Sequence, residues 1–444
     1  MNLVLKFSLL FCLSFAQVIS YSQGTWERIN VPTHQYLKSL FFTDSLWGWV
    51  AGDSGTILHT IDGGNTWSFQ DSHTQNTIEY LFFLNRNLGW ASVFNYSTPP
   101  YGTVLLKTTD GGMNWTGENY PDTNIFITCI LYRDSLNGWM GGRPHALVKT
   151  TNGGLDWTQA DIDTNVLAFF PVLSIKFYND KYGYASGGMF DIAGVIWRTS
   201  NGGDKWYPID PSQAPADEVH ELYIFDSIHV MGAGGDPDFG FGIGMIHTSD
   251  GGLNWIYKEL GIQGTVYDLD FRNKKEAWAP TGPKQTLIYS LDSGSTWTEV
   301  PTPDSTSIGK MMFPDSLHGF AVGREGAMLR YKPPVTGAVD PHASAEMNGF
   351  ILYQNVPNPF FMETTIRFTV PASQGNGCSV QVKVFDILGK EVATPFNEKC
   401  IPGNYEISWD PTGLPCGIFY YRLLAFTRDG KHLSSLPRKM IRIE

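Results

Sequence analysis

From residue 25 to 332 the apolar residues come in short runs that recur in a fixed order. A run over 37–42 is followed by a polar turn, a second run opening on Gly48-Trp49, a loop, a third run over 56–60 and a Gly-rich turn before the next stretch. Runs of about four to seven residues bounded by Gly, Asp, Asn and Ser read as β-strands and are too short for helices. Four strands per repeat are predicted. The Gly-aromatic pair that opens the second strand returns at Gly89-Trp90, Gly138-Trp139, Gly183-Tyr184 and Gly319-Phe320, with Ala277-Trp278 as a near match; the fifth repeat lacks it.

The Gly-rich turn is the strongest mark of the period. Six times a Thr or Ser is followed by Asp or Asn, a Gly and, five positions after the Asp or Asn, a Trp: Asp62 and Trp67, Asp110 and Trp115, Asn152 and Trp157, Asn201 and Trp206, Asp250 and Trp255, Asp292 and Trp297. A repeat of this length is one supersecondary unit stacked on its neighbours. The short carboxylate or amide can accept hydrogen bonds from its own turn, the glycines supply φ > 0, and the Trp buries a large ring against the next sheet. These twelve residues are therefore read as structural. Even spacing of short strands with a periodic Gly-aromatic motif describes an all-β propeller. After Trp297 a further set of strands (308–313, 319–323, 327–331) has no such turn behind it, whereas Gly24-Thr25-Trp26 matches the tail of one. Seven blades are predicted over residues 23–332, with 26–29 completing the blade that 308–332 begin, which leaves no open sheet edge.

The six turns resemble the Asp-box of the BNR repeat families, which include sialidases, sortilin-type receptors and photosystem II assembly-factor-like propellers. The Gly-Trp strand together with Asp/Asn-Gly-Gly-x-x-Trp places the chain nearer the assembly-factor-like branch, which implies a protein-binding scaffold. A sialidase would need an arginine triad, a Tyr-Glu pair and usually Arg-Ile-Pro, and this arrangement is missing from the sequence.

Residues 333–349 hold Pro333, Pro334, Gly337 and Pro341 without periodicity and read as a linker. Beyond it, alternation over 365–370, 380–385, 391–396, 405–409 and 419–426 predicts a small β-sandwich of about seven strands over 350–444. Its motifs include Pro357, Asn358, Pro359 and Phe360, then Gly389, then Gly403 and Tyr405, and at the end Lys439 and Met440. They resemble the C-terminal sorting domain, type A, of the type IX (Por) secretion system. That resemblance implies the type IX machinery as a partner and delivery through the periplasm to the outer surface or medium of a Bacteroidota-type bacterium. Cys378 and Cys400 are nearly symmetric about Gly389, so a cross-strand disulfide is possible there. Cys129 reads as a buried small hydrophobe.

Composition narrows the classes of function. Hydrophobic residues are 42%, aromatics 14% and charged residues 17%, and the net charge is −12, so the chain folds but has no basic surface for nucleic acid. Lys6, an apolar run over 7–16 and small residues before Gln23 predict a secretory signal over 1–22 and no membrane-spanning segment after it. The mature protein is read as a secreted or surface-exposed monomer. Histidines and cysteines show no metal-ligand spacing, Gly240-x-Gly242-x-Gly244 has no strand-to-helix context, and neither metal nor cofactor is expected. Asp44-Ser45-Leu46 and its equivalents at 134, 226 and 315 resemble a Bacteroidota O-glycosylation acceptor, although Asp-Ser also makes turns.

In a four-stranded blade the connections after strands two and four share the face opposite the Asp-boxes, where the segments vary in length. Binding residues belong on such loops. The candidates are Tyr96, Tyr101, Arg143, His145, Phe190, Asp191, Asp236, Asp238, Phe239 and Arg324. Aromatic rings beside carboxylates suit a protein segment or a glycan. A non-catalytic binding protein is the expected function. A secreted glycoside hydrolase acting on polysaccharide is the alternative, using a carboxylate pair drawn from Asp191, Asp236, Asp238 and Glu325.

Overall fold

Each repeat spends its four short runs on one antiparallel sheet. In the computed structural model, which describes residues 23–236, 242–334, 349–375, 377–387, 389–427, 432–435 and 437–443, the first sheet joins Leu37–Phe42, Gly48–Gly52, Ile57–Thr60 and Ser68–Gln70 in chain order. The signal segment expected over 1–22 and most of the expected linker lie outside the described residues. The chain divides into two units, the first ending at Pro334 and the second starting at Val335. Among the described residues no helix is long and apolar enough to cross a membrane.

The first unit contains seven sheets and is an all-β propeller. The last of them takes Ile308–Met312, Phe320–Gly323 and Met328–Lys332 from the end of the unit and Thr25–Arg28 from its start, with Trp26 opposite Tyr331. One strand was not expected: Asp161–Ile162 pairs in parallel with Lys205–Pro208 and makes the fourth sheet five-stranded. The insertion between Trp157 and Val172 is long enough to reach across to that next edge.

The Asp-boxes are closed on themselves. The Thr60 hydroxyl donates to Asp62 Oδ1 (2.8 Å) and accepts from the Gly64 N–H (2.9 Å), while Asp62 Oδ1 accepts from the N–H groups of Asn65 (3.0 Å) and Thr66 (2.9 Å). Side-chain and backbone hydrogen bonds from Thr66 hold the Asp62 carboxyl down at about 2. The same Thr or Ser to Asp or Asn bond recurs at Asp110, Asn152, Asn201, Asp250 and Asp292, at 2.8–2.9 Å. The second box glycine also faces the preceding blade: at Gly203, φ +83°, a Cβ would lie 2.4 Å from Trp139 Nε1. In the Asp-Ser turns, Asp44, Asp134, Asp226 and Asp315 each accept from backbone N–H groups two and three residues on.

The second unit is a sandwich with eight strands among the described residues, against the about seven expected. One sheet orders Ile351–Leu352, Thr364–Val370 and Gly403–Trp409; the other is built on Cys378–Phe385, Glu391–Cys400 and Gly417–Phe426 with two shorter strands. Phe360, Ile366, Phe368, Val382, Tyr421 and Met440 lie in the core between them. Cys378 and Cys400 are directly opposite in register, both buried and both free thiols. Cys129 is buried in the propeller core, where desolvation pushes its thiol up to about 12.

Candidate binding face of the propeller

Every blade carries, at or just before its first strand, the same four-residue pattern: an apolar residue, two variable residues and another apolar residue, as in Leu37-Lys38-Ser39-Leu40. In six blades the register slips at this point, between Leu37 and Ser39, Ile78 and Tyr80, Ile127 and Cys129, Val172 and Ser174, Val219 and Glu221, and Ile308 and Lys310. A β-bulge of this kind re-aims one side chain. The skipped residues are Lys38, Glu79, Thr128, Leu173, His220 and Gly309, and Tyr267 holds the equivalent place in the sixth blade. All seven line one cavity of about 230 Å³, together with Tyr36, Phe94, Arg143 and Lys310. Seven blades thus converge on a single mouth, at the N-terminal ends of their first strands and therefore on the loop-rich face.

The mouth mixes paired charges with rings. Lys38 Nζ is 2.9 Å from Glu79 Oε2, and Arg143 Nη2 donates to both oxygens of Glu218 at 2.9 and 3.1 Å. Glu218 has a side chain 1% exposed; burial pushes its carboxyl up against the opposing pull of Arg143, and it holds the guanidinium of a side chain that keeps 39% of its exposure. His220 lies beside Tyr267 (5.4 Å between centroids) and Phe190 (5.6 Å). Desolvation, then the cations Lys310 and Arg143, bring the His220 imidazole down to about 3, so it is neutral at ordinary pH.

At Ser39, Ser174, Glu221 and Asp268 the second variable residue of the pattern is buried and stitches neighbouring blades. Ser39 Oγ accepts from the Leu81 N–H (2.9 Å), Asp268 Oδ2 from the Met311 N–H (2.8 Å), and Ser174 Oγ donates to Glu221 Oε1 (2.6 Å). Around Glu221 the network continues to Lys176 Nζ (3.1 Å) and Lys310 Nζ (3.7 Å).

Of the residues singled out in the sequence, Arg143 is at the mouth, Phe190 flanks it through His220, and Arg324 sits over the Tyr36 ring at 5.5 Å. Tyr96 is 65% exposed and stacks on Phe126 at 4.4 Å. His145 has its Nδ1 2.8 Å from the Phe170 carbonyl and its ring beside Phe169 (5.3 Å), so it ties its turn to the insertion before the fourth sheet. Tyr101 is half exposed and has no recorded contact with the others. Asp191 and Asp236 come together with Asp217, their carboxylate oxygens within 4.8 Å of one another. Asp217 and Asp236 are buried, and desolvation followed by the neighbouring charges of Asp236 and Asp191 pushes the Asp217 carboxyl up. Asp238 and Phe239 lie outside the described residues. Sequence reading missed Lys38, Glu79, Glu218, His220 and Tyr267. The signal for four of them was available as the non-apolar residue after the leading apolar position of each first strand.

In the second unit the motif residues meet across the sandwich. Asn358 accepts from the Ile441 N–H (2.8 Å) and donates to the Lys439 carbonyl (3.2 Å), and Phe360 is buried with its N–H on the Ile441 carbonyl (3.0 Å). Met440 is fully buried, Tyr405 stacks on Phe368 at 5.1 Å, Gly389 occupies a turn at φ +82°, and Gly403 opens a strand opposite Val370. Pro357, Asn358, Pro359 and Lys439 are left exposed.

A family model described as photosynthesis system II assembly factor YCF48 matches residues 18–116, 101–209 and 257–332. The chloroplastic photosystem II stability/assembly factor HCF136 of Arabidopsis thaliana is 24% identical over 329 residues, 69% of this chain and 79% of that protein. The solved structure of YCF48 bound to D1 peptide aligns with a TM-score of 0.55 at 21% identity, covering 70% of this chain and 100% of that one. The GH74 xyloglucanase from Xanthomonas campestris aligns at 0.53 and 12% identity, over 78% of this chain and 59% of that one. Identities this low carry the fold and nothing more. The family segments span more than half of the sequence, and the chain belongs to the photosynthesis system II assembly factor YCF48 family.

Proposed function

We propose that this chain is a non-catalytic binding protein whose propeller holds a protein segment at the mouth of its loop-rich face. The observation that carries the reading is the convergence of seven equivalent first-strand positions on one mouth, with the Arg143 guanidinium fixed by Glu218 and rings at Phe190, Tyr267, Tyr36 and Tyr96 around it. Such a surface offers hydrogen-bond donors to peptide carbonyls and aromatic area to side chains. A solved family member binds a peptide, which supports the same class of ligand here. The family relatives are named as assembly factors, in keeping with a binding role.

The reading is tested by exposing the full chain to a displayed peptide library and, in parallel, to plant, algal and host polysaccharides scored for new reducing ends. Peptides should be retained, with binding weakened about tenfold or more in Arg143→Ala. The hydrolase reading draws on Asp191, Asp217 and Asp236, whose closeness suits a carboxylate pair. New reducing ends that disappear in Asp236→Asn would replace the binding reading with that one.

Delivery is proposed from the resemblance of residues 350–444 to a type IX sorting domain, which makes the type IX machinery a partner and the cell surface or medium the destination. Asn358 and Lys439 are exposed, so they are available to be read by that machinery, while Phe360, Tyr405 and Met440 serve the sandwich itself. A chain ending at 349, expressed in a type IX-competent bacterium, should remain in the periplasm while the full chain leaves it; equal export of both would remove the proposal.

A further inference from the structure

One blade interface is built differently from the rest. In six blades the second strand carries a ring (Trp49, Trp90, Trp139, Tyr184, Trp278 or Phe320) at the position that packs toward the following sheet. Trp49 stacks on Phe83 at 3.7 Å and donates to the Gly111 carbonyl at 3.0 Å; Trp90 stacks on Tyr132 at 3.7 Å beneath Lys107; Trp139 lies 4.7 Å from Phe177 beneath Arg133. The fifth blade has Val230-Met231 in place of Gly-aromatic. The glycine matters because the ring ending the first strand lies over it: a Cβ at Gly48 would be 2.3 Å from the Phe42 ring, and one at Gly319 would be 2.4 Å from that of Phe313. In the fifth blade Val230 is opposite Ile224, where the first blade sets Gly48 opposite Phe42, and the next residue, Phe225, packs on Tyr223 (4.9 Å) and Phe271 (4.8 Å).

The two changes together leave a cleft of about 440 Å³ on the Asp-box face, between the fifth and sixth sheets. This volume falls within the range of small-molecule sites. Phe225 and Met231 are its apolar walls, Lys274 is its cation, and His229 and His247 are its imidazoles, the first held at Nδ1 by Asp226 (2.9 Å). In the sister interfaces an aromatic ring takes the position of Met231; here the ring is lacking and Lys274 supplies a positive charge. We propose that this cleft binds a small planar aromatic acid, with its ring against Met231 and Phe225 and its carboxylate toward Lys274. The site is on the face opposite the proposed peptide mouth and does not depend on that reading.

The test is titration of the full chain with naphthalene-2-carboxylate by calorimetry and saturation-transfer NMR, with cyclohexanecarboxylate and 2-naphthylmethylamine as controls for the ring and for the charge. The aromatic acid should bind one to one, and both controls at least about tenfold more weakly. Met231→Trp supplies the missing ring and should abolish binding. Lys274→Glu, an exposed position, should weaken it about tenfold with the melting temperature unchanged, and it keeps the test decisive if Met231→Trp fails to fold. No binding of the aromatic acid at millimolar concentration, or binding that survives both substitutions, would overturn the proposal.

Discussion

Trp26→Ala is expected to lower the stability of the propeller by about 3–5 kcal/mol, a loss typical of a buried Trp removed from a packed core. Trp26 lies on the four-residue strand that completes the last sheet, so its ring carries more of the closure than the four pairings Thr25–Arg28 make with Leu329–Lys332. It is 9% exposed and meets Tyr331 at 5.3 Å, Phe313 at 5.6 Å and Trp278 at 5.8 Å, separations at which aromatic rings attract beyond simple burial. The surrounding groups are tightly arranged: Tyr331 donates to Glu276, Glu276 accepts from Trp278 Nε1 (2.9 Å), and Arg272 pairs with the same carboxylate. Little can move to fill the space left behind. Thermal melting followed by near-ultraviolet circular dichroism would show it, and Trp26→Phe should recover much of the loss. A shift worth less than about 1 kcal/mol for the alanine variant would mean that the short strand is held by its backbone pairing alone.

The second large effect is expected at Glu221. Burial pushes its carboxyl up, but the ammonium groups of Lys176 and Lys310 outweigh burial and hold it down at about 2. Glu221→Ala removes one carboxylate shared by those two lysines and leaves Asp268 to face both. Breaking a buried pair costs about 3–5 kcal/mol. Here about 2–3 kcal/mol is expected, because the Lys176 and Lys310 side chains keep 38% and 28% of their exposure and water screens them. The sign of the pH dependence follows. A carboxyl whose folded value lies below its unfolded value of 4.5 contributes stability that is present above 4.5 and is lost as pH falls through about 2. The melting gap between the wild type and Glu221→Ala should therefore be wide at pH 7 and narrow steadily below pH 4.5. A gap that does not change on acidification would place the effect in lost packing and not in charge.

The repeat architecture is legible because it is written in local chemistry: each Asp or Asn closes its own turn, and each Trp follows at a fixed distance. The mouth of the loop-rich face is less legible. Lys38, Glu79, Thr128, Leu173, His220, Tyr267 and Gly309 have no common side-chain type; what they share is the place after a leading apolar residue, and in six of the seven blades a register slip there that only pairing reveals. Loop length pointed toward Arg143 and Phe190, but Glu218, which fixes Arg143 from 75 residues away, left no linear trace. Loop length pointed also to Asp191 and Asp236, whereas Asp217, which joins them, left no linear trace. The parallel strand at Asp161–Ile162 escaped because two residues give no periodicity to read.

The closing strand has a consequence for the order of events as the chain forms. Thr25–Arg28 can pair only with Met328–Lys332, so the first strand of the propeller to be synthesised waits for the last. Each internal sheet is assembled from neighbours in sequence, but this pairing spans almost the whole unit, and contacts of such separation form late and slowly. Until then Met328–Lys332 presents a bare edge able to recruit other strands. A chain that stops short of residue 328 could stack its blades yet never latch.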